Sequence, residues 1–474
     1  MASNGQEGTG PGPAGDPARS WVERDAEVVW HGFTQMATYA DLAPVVVDRA
    51  EGRELIGVDG RRYLDAISSL WVNTLGHRVP ELDEALAQQV AKVAHSTMLG
   101  NGNTVVVELA EALREVVPVD GAHVLFAADG ATAVEQAIKI AFQYWVNRGE
   151  TGRHRFLALA DAYHGDTVGA LSLGDGGFST ALFDPLRFPV DRTPGYADPG
   201  WSMKACAAVE AHADQLAAVV IEPLVQGASG MLCAEPEDVA ALGRACEQGG
   251  VLLVCDEVAT GFGRTGSLFA SEACDLRPDL LCLGKGITGG YLPMSATVAS
   301  DRVFRTFLGE DLGPETFFHG HSYGGNALAA AVALRHLRLI EEHRVLANVV
   351  DRAAQLAALL AEKVAPHPAV GQVRQRGLMV GVELAPPGPG LRWGRRVSAG
   401  AVARGVLLRP LGDVVVVMPP LTVTTGEVYR IVDVLEQALD EVAERDLAAA
   451  DVRSGPIGGA REVARAERGE EGPG

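Results

Sequence analysis

Between residues 120 and 260 the chain alternates short apolar runs with longer segments whose apolar positions recur at helical spacing. HVLFAA (123–128), RFLALA (155–160), LAAVVIE (216–222) and VLLVCDE (251–257) are continuous rather than alternating, the pattern of strands covered on both faces. AVEQAIKIAFQYW (133–145) and EDVAALGRACEQGG (237–250) have the period of amphipathic helices. Strands spaced by helices predict an α/β fold with a large, mostly parallel, doubly wound sheet, placed here over residues 80–345. The flanks read differently. DRAEGRELIGVDGRRYLDA (48–66) has short alternating strands with turn glycines, and GLMVGVELA (377–385) and DVVVVMPP (413–420) are interleaved with helix. Residues 21–79 and 346–450 are therefore expected to build one smaller α+β domain from both chain ends. No internal repeat is found.

Residues 1–20 and 451–474 are rich in Gly, Pro and charge without periodicity, and are predicted to be disordered tails. The 474 residues, 47% of them apolar, suffice for a sizeable core. A net charge of -21 disfavours nucleic acid and anionic lipid as partners, so an anionic small ligand needs a local basic site. The six cysteines form no C-x-x-C pair and read as buried, reduced thiols. No basic-then-apolar leader pattern stands near residue 1, and no apolar run reaches the ~18 residues of a membrane span. A cytoplasmic protein is expected.

The chemistry concentrates in VLLVCDEVATGFGRTG (251–266) and DLLCLGKGITGGYLP (279–293). Gly261-Phe262-Gly263-Arg264-Thr265-Gly266 spells G-x-G-x-x-G, but four residues separate it from the preceding strand and no long amphipathic helix follows. It does not fit a dinucleotide fingerprint. Asp256 is more telling: a carboxylate at the C-terminal end of a buried strand lies where open α/β sheets bind ligands, and it needs a cationic partner. The plain alternative is a capping or salt-bridged aspartate. Lys285 stands alone among apolar and glycine residues, where desolvation depresses an amine's pKa and makes it nucleophilic. A strand-end carboxylate for a pyridinium nitrogen and a lysine for a Schiff base are the protein groups that pyridoxal phosphate chemistry requires. Gly130-Ala131-Thr132, between a strand and a helix, suits a backbone phosphate site.

DEVATGFGRTG followed by LGKGITGGYLP, with YHGDT (163–167) and HGHSYGGN (319–326), resembles the class III (fold type I) pyridoxal-phosphate aminotransferases over nearly all of residues 25–445. WHGFTQM (30–36), SSLWVNTLGH (68–77), AHSTMLG (94–100) and LRPLG (408–412) are most similar to the biotin-pathway branch of that family. The resemblance implies fold type I, pyridoxal 5'-phosphate as cofactor and amination of 8-amino-7-oxononanoate to 7,8-diaminononanoate. S-adenosylmethionine or lysine would be the amino donor; other activities of the family, on an ω-amino acid or diamine, are the alternative. It implies Lys285 as the Schiff-base lysine, Asp256 on the ring nitrogen and Tyr163 over the ring. Gly130 and Ala131 would hold the phosphate, joined by His321 and Ser322 from the partner subunit of a homodimer with shared sites. Gly320 would approach the substrate, Arg409 would clamp its carboxylate, and Trp71 would pack on its chain. A packed tyrosine, a surface arginine and a core tryptophan are the plain alternatives for Tyr163, Arg409 and Trp71. His319 and His321 lack a third ligand in view, so no metal is expected. The sequence departs from the family's pattern at Asp129, which brings negative charge to the phosphate loop, and at Phe33, His321 and Ser322, which bear on the choice of donor.

Overall fold

The computed structural model describes residues 20–42, 44–175 and 180–454. The expected tails therefore lie almost wholly outside the described residues, with two exceptions at their edges. Ser20 is the N-cap of a helix over Trp21–Val28 and exchanges capping-box bonds with Glu23. At the other end the helix Thr425–Ser454 runs past the expected limit at 450. AERDLAAAD (443–451) consists largely of strong helix formers, so nothing in it stops the helix where the composition changes.

In chain order, β1 (Val47–Glu51), β2 (Glu54–Gly57) and β3 (Arg62–Asp65) open the fold. β4 (His123–Ala127), β5 (Arg155–Leu159), β6 (Asp191–Thr193) and β7 (Leu216–Ile221) follow, then a hairpin of β8 (Val225–Gln226) and β9 (Leu232–Cys233). β10 (Leu252–Asp256), β11 (Leu280–Leu283) and β12 (Ser295–Ala299) complete a seven-stranded sheet of order β4-β12-β11-β10-β7-β5-β6. Only β12 runs against its neighbours, so the sheet is mostly parallel. β7, β10, β11 and β12 are buried at every position, which is why β7, β11 and all of β10 but Asp256 are continuous apolar runs rather than alternating.

The last strands are β13 (Val370–Arg376), β14 (Met379–Leu384), β15 (Val406–Leu407), β16 (Arg409–Leu411) and β17 (Val414–Val417). β15 pairs in parallel with β3, at Val406 with Leu64 and Leu407 with Asp65, so the two chain ends share a sheet. Backbone bonds from Met418 N to Ala66 O and from Leu421 N to Thr74 O, both 2.7 Å, stitch the segment after β3 to the segment after β17.

The cysteines are all free, and Cys246, Cys255, Cys274 and Cys282 are buried. Cys206 and Cys233 are only half-buried, contrary to expectation, because they sit on a covering helix and in the small hairpin rather than inside the sheet. Among the described residues no helix is long and apolar enough to cross a membrane.

Candidate active site

Strand register brings the ionisable groups together. Cys255 of β10 lies opposite Ile221 of β7, and Asp256 lies opposite Cys282 of β11. Glu222, Asp256 and Lys285 therefore leave neighbouring strands at the same carboxyl edge. The loops after β4 and β5 deliver Gly130 and Tyr163 to that edge too, and all of these residues line one cavity of about 800 Å³. Its position outside the strand ends is where doubly wound sheets bind ligands.

Lys285 follows β11 with φ +40°, and Gly284 before it lets the turn approach its neighbours: a Cβ there would stand 3.3 Å from the Gly130 Cα. Burial lowers the pKa of the amine; the Asp256 and Glu222 carboxylates only partly offset it. The face of Trp71 covers the amine, with Nζ 4.9 Å from the ring centroid. Asp256 does have a partner, but it is His164 rather than Lys285: His164 Nδ1 lies 2.7 Å from Asp256 Oδ2. Asp256 Oδ1 accepts the Val258 N–H at 3.0 Å, which fixes the carboxylate at the end of its strand. Burial opposes the imidazolium of His164, yet the hydrogen bond and charge of Asp256, with the charge of Glu222, raise its pKa overall. Its Nε2 is buried without a partner among the described residues.

Glu222 is buried and accepts the N–H groups of Tyr163 at 3.0 Å and Gly227 at 3.1 Å. Desolvation pushes its carboxyl up to about 7. Tyr163 is half-buried, and desolvation with the nearby Asp166 raises its phenol. The helix Gly130–Asn147 starts at the cavity wall, and its first two N–H groups donate to no carbonyl within the helix. Asp129 caps this helix: its Oδ1 takes the Thr132 N–H at 2.9 Å. The carboxylate is thus committed to the third turn residue, leaving the amides of Gly130 and Ala131 for an anion. A ring-nitrogen acceptor, a lysine of lowered pKa and two helix-start amides make a donor set that fits a pyridine aldehyde bearing a phosphate.

Trp71 is buried, its Nε1 lacks a partner among the described residues, and its indole abuts Gly227, where an added Cβ would lie 3.2 Å from the ring. Arg409 stands exposed on β16 at the cavity rim. Gly320, His321 and Ser322 do not line this cavity. His321 Nε2 is 3.3 Å from His319 Nε2, and the Ser322 carbonyl accepts from His95 at 2.8 Å.

The model of the family described as "Aminotransferase class-III" matches residues 35–439. The chain belongs to the class III aminotransferases. Among proteins of this family it is 45% identical, over 89% of its own length and 81% of the relative's, to the adenosylmethionine-8-amino-7-oxononanoate aminotransferase of Nitratidesulfovibrio vulgaris. The crystal structure of the enzyme of the same name from Methanocaldococcus jannaschii superposes with a TM-score of 0.86 at 38% identity, covering 88% of this chain and 98% of that one. A PLP-bound amine transaminase from an uncultivated Pseudomonas species superposes at 0.82 with 32% identity, covering 88% and 99%. The fold is that of these transaminases, as expected.

Within this class III site, sequence reasoning missed two residues that touch the central carboxylate and tyrosine. His164 was hidden beside Tyr163 in YHGDT, and Glu222 ends the run LAAVVIE as a charge on a buried strand, the same signal that singled out Asp256. The G-x-G-x-x-G stretch carries a buried clamp between distant chain segments. Arg264, 1% exposed, donates to the carbonyls of Asn73 at 2.6 Å and Pro419 at 2.7 Å, and burial lowers its pKa to about 9.

Proposed function

We propose that this aminotransferase uses pyridoxal 5'-phosphate to convert 8-amino-7-oxononanoate to 7,8-diaminononanoate in biotin synthesis, taking the amino group from S-adenosylmethionine or lysine. The observation that carries the reading is the lysine of depressed pKa facing a strand-end carboxylate in one cavity, in a chain this similar to enzymes named for that reaction.

Bound cofactor supplies an electron sink for the carbanion left when the substrate carbon loses its proton. Lys285 would hold the cofactor's aldehyde carbon, and its amine, made easier to deprotonate by burial, would move a proton at the substrate carbon. Asp256, backed by His164, keeps a proton on the ring nitrogen. Gly130 and Ala131 bind the phosphate through backbone amides, and Tyr163 flanks the ring. Arg409 takes the substrate carboxylate in a bidentate grip, and Trp71 covers the aliphatic chain while excluding water from the amine.

His321 and Ser322 complete the phosphate site of a partner subunit, and Gly320 approaches the substrate there; the molecule is a cytoplasmic homodimer. Supporting this, these residues stay away from their own cavity, and Phe318 and Tyr323 beside them are 67% and 68% exposed, apolar surface that a second copy would cover.

A donor-by-acceptor matrix with mass detection tests the reading. Diaminononanoate formed from 8-amino-7-oxononanoate with either donor is expected. Turnover of 4-aminobutyrate or a simple amine without diaminononanoate overturns it in favour of the amine transaminases that the chain also resembles.

A further inference from the structure

We infer that Asp65 is a positioning residue for amino transfer: it holds a left-handed turn, Ser68–Trp71, that lays Trp71 over the amine of Lys285. The inference rests on the reading above, in which that amine is the reacting group.

Four consecutive residues of this turn have positive φ, Ser68 at 52°, Ser69 at 54°, Leu70 at 103° and Trp71 at 69°. None is glycine, so each sets its Cβ against a neighbouring carbonyl. A run of this kind persists only where its surroundings over-determine it, and such places cluster at functional sites.

Asp65 is part of those surroundings. It ends β3, is 0% exposed, and spends its carboxylate on the turn. Oδ1 accepts the Ser69 N–H at 2.9 Å and Oδ2 accepts the Ser69 hydroxyl at 2.8 Å. His77 Nε2, 3.0 Å from Oδ2, fixes the carboxylate from the other side. Ser68 Oγ donates to the Met418 carbonyl at 2.7 Å, which anchors the start of the turn to the strand pair that carries Arg409. At its far end the turn delivers the Trp71 ring to 4.9 Å from Lys285 Nζ.

Neither burial nor capping explains this expenditure. A glycine at position 70 would adopt φ 103° without the clash, and an apolar residue in place of Asp65 would avoid burying a charge. What the observed arrangement adds is one fixed place for the indole.

Asp65→Asn tests this, because asparagine still accepts from Ser69 N but loses the second acceptor oxygen. We expect kcat/KM for amino transfer to fall about tenfold or more, by loss of charged hydrogen bonds. In a Trp71→Ala background the same change should have little further effect, since residues acting through one contact are non-additive. In the cofactor-free protein, acrylamide should quench tryptophan emission more in Asp65→Asn than in wild type, and Trp71→Phe should abolish that difference. Asp65→Asn/Leu70→Gly should recover most of the lost kcat/KM. Should Asp65→Asn lower only the melting temperature, or cost as much with Trp71 absent as present, the inference fails. If wild type makes no diaminononanoate the functional reading fails instead; the quenching comparison then still decides the role of Asp65.

Discussion

His164 Nδ1 and Asp256 Oδ2 stand 2.7 Å apart, with 0% and 5% of their side chains exposed. The pair makes stability depend on pH with a definite sign. The pKa of His164 is raised on folding, so its contribution is complete below about 6.5, its usual value, and is lost as pH rises through the raised value. His164→Asn should therefore lower the melting temperature of the cofactor-free protein more at pH 6 than at pH 9. A gap that is constant with pH would contradict the assignment.

Glu222 has the same sign for a different reason. Burial lifts its carboxyl from 4.5 to about 7, so the folded chain holds a proton that the unfolded chain releases, and stability is lost as pH rises through that window. Glu222→Gln cannot ionise. Its melting temperature, lower than wild type at pH 5 because one N–H of the Tyr163–Gly227 pair loses its acceptor, should gain on wild type by pH 8.

Asp129 both caps a helix and lines the cavity beside the amides proposed to hold the phosphate. Asp129→Asn keeps the cap and removes the charge, so pyridoxal phosphate should bind about two- to fivefold more tightly, the size of a helix-terminus charge effect. Asp129→Ala should cost about 1 kcal/mol of stability through the lost cap. Titration of the cofactor and thermal melts separate the two.

Arg409 sits at the rim, away from the amine. Replacement by alanine should raise KM for the keto acid by about ten- to a hundredfold, the worth of a charged hydrogen-bond pair, with a smaller change in kcat. Lysine at this position should recover only part, because it cannot present the fork.

Mixed dimers test the proposal of a site shared between subunits. Lys285→Ala and Ser322→Ala/His321→Ala chains, each weak alone, should regain up to about half a wild-type site complement per dimer when co-refolded, because one cavity then has an intact lysine and intact partner residues. Absence of recovery in a verified mixed dimer would count against the assignment of His321 and Ser322 to the partner.

Much of this molecule was legible in the chain because burial and chemistry conflict there. Apolar runs gave the central strands, and Asp256 and Lys285 stood out as charges where charges are costly. The same conflict was present at Glu222, but its carboxylate is satisfied by backbone donors that no sequence pattern announces. The turn carrying Trp71 was illegible for the opposite reason: its positive φ angles fall on serine, leucine and tryptophan, and bonds to Asp65, four residues before Ser69, and to distant Met418 hold them there. Arg264 was masked by the glycines around it, whose spacing imitates a nucleotide loop while its guanidinium works as a clamp.

That clamp has a consequence for biosynthesis of the protein. Arg264 grips a carbonyl made early, at Asn73, and one made late, at Pro419. Lys285 leaves the ribosome more than a hundred residues before the second of these. A nascent chain therefore owns its lysine well before it owns a finished chamber, and vitamin capture belongs after Pro419 has been made.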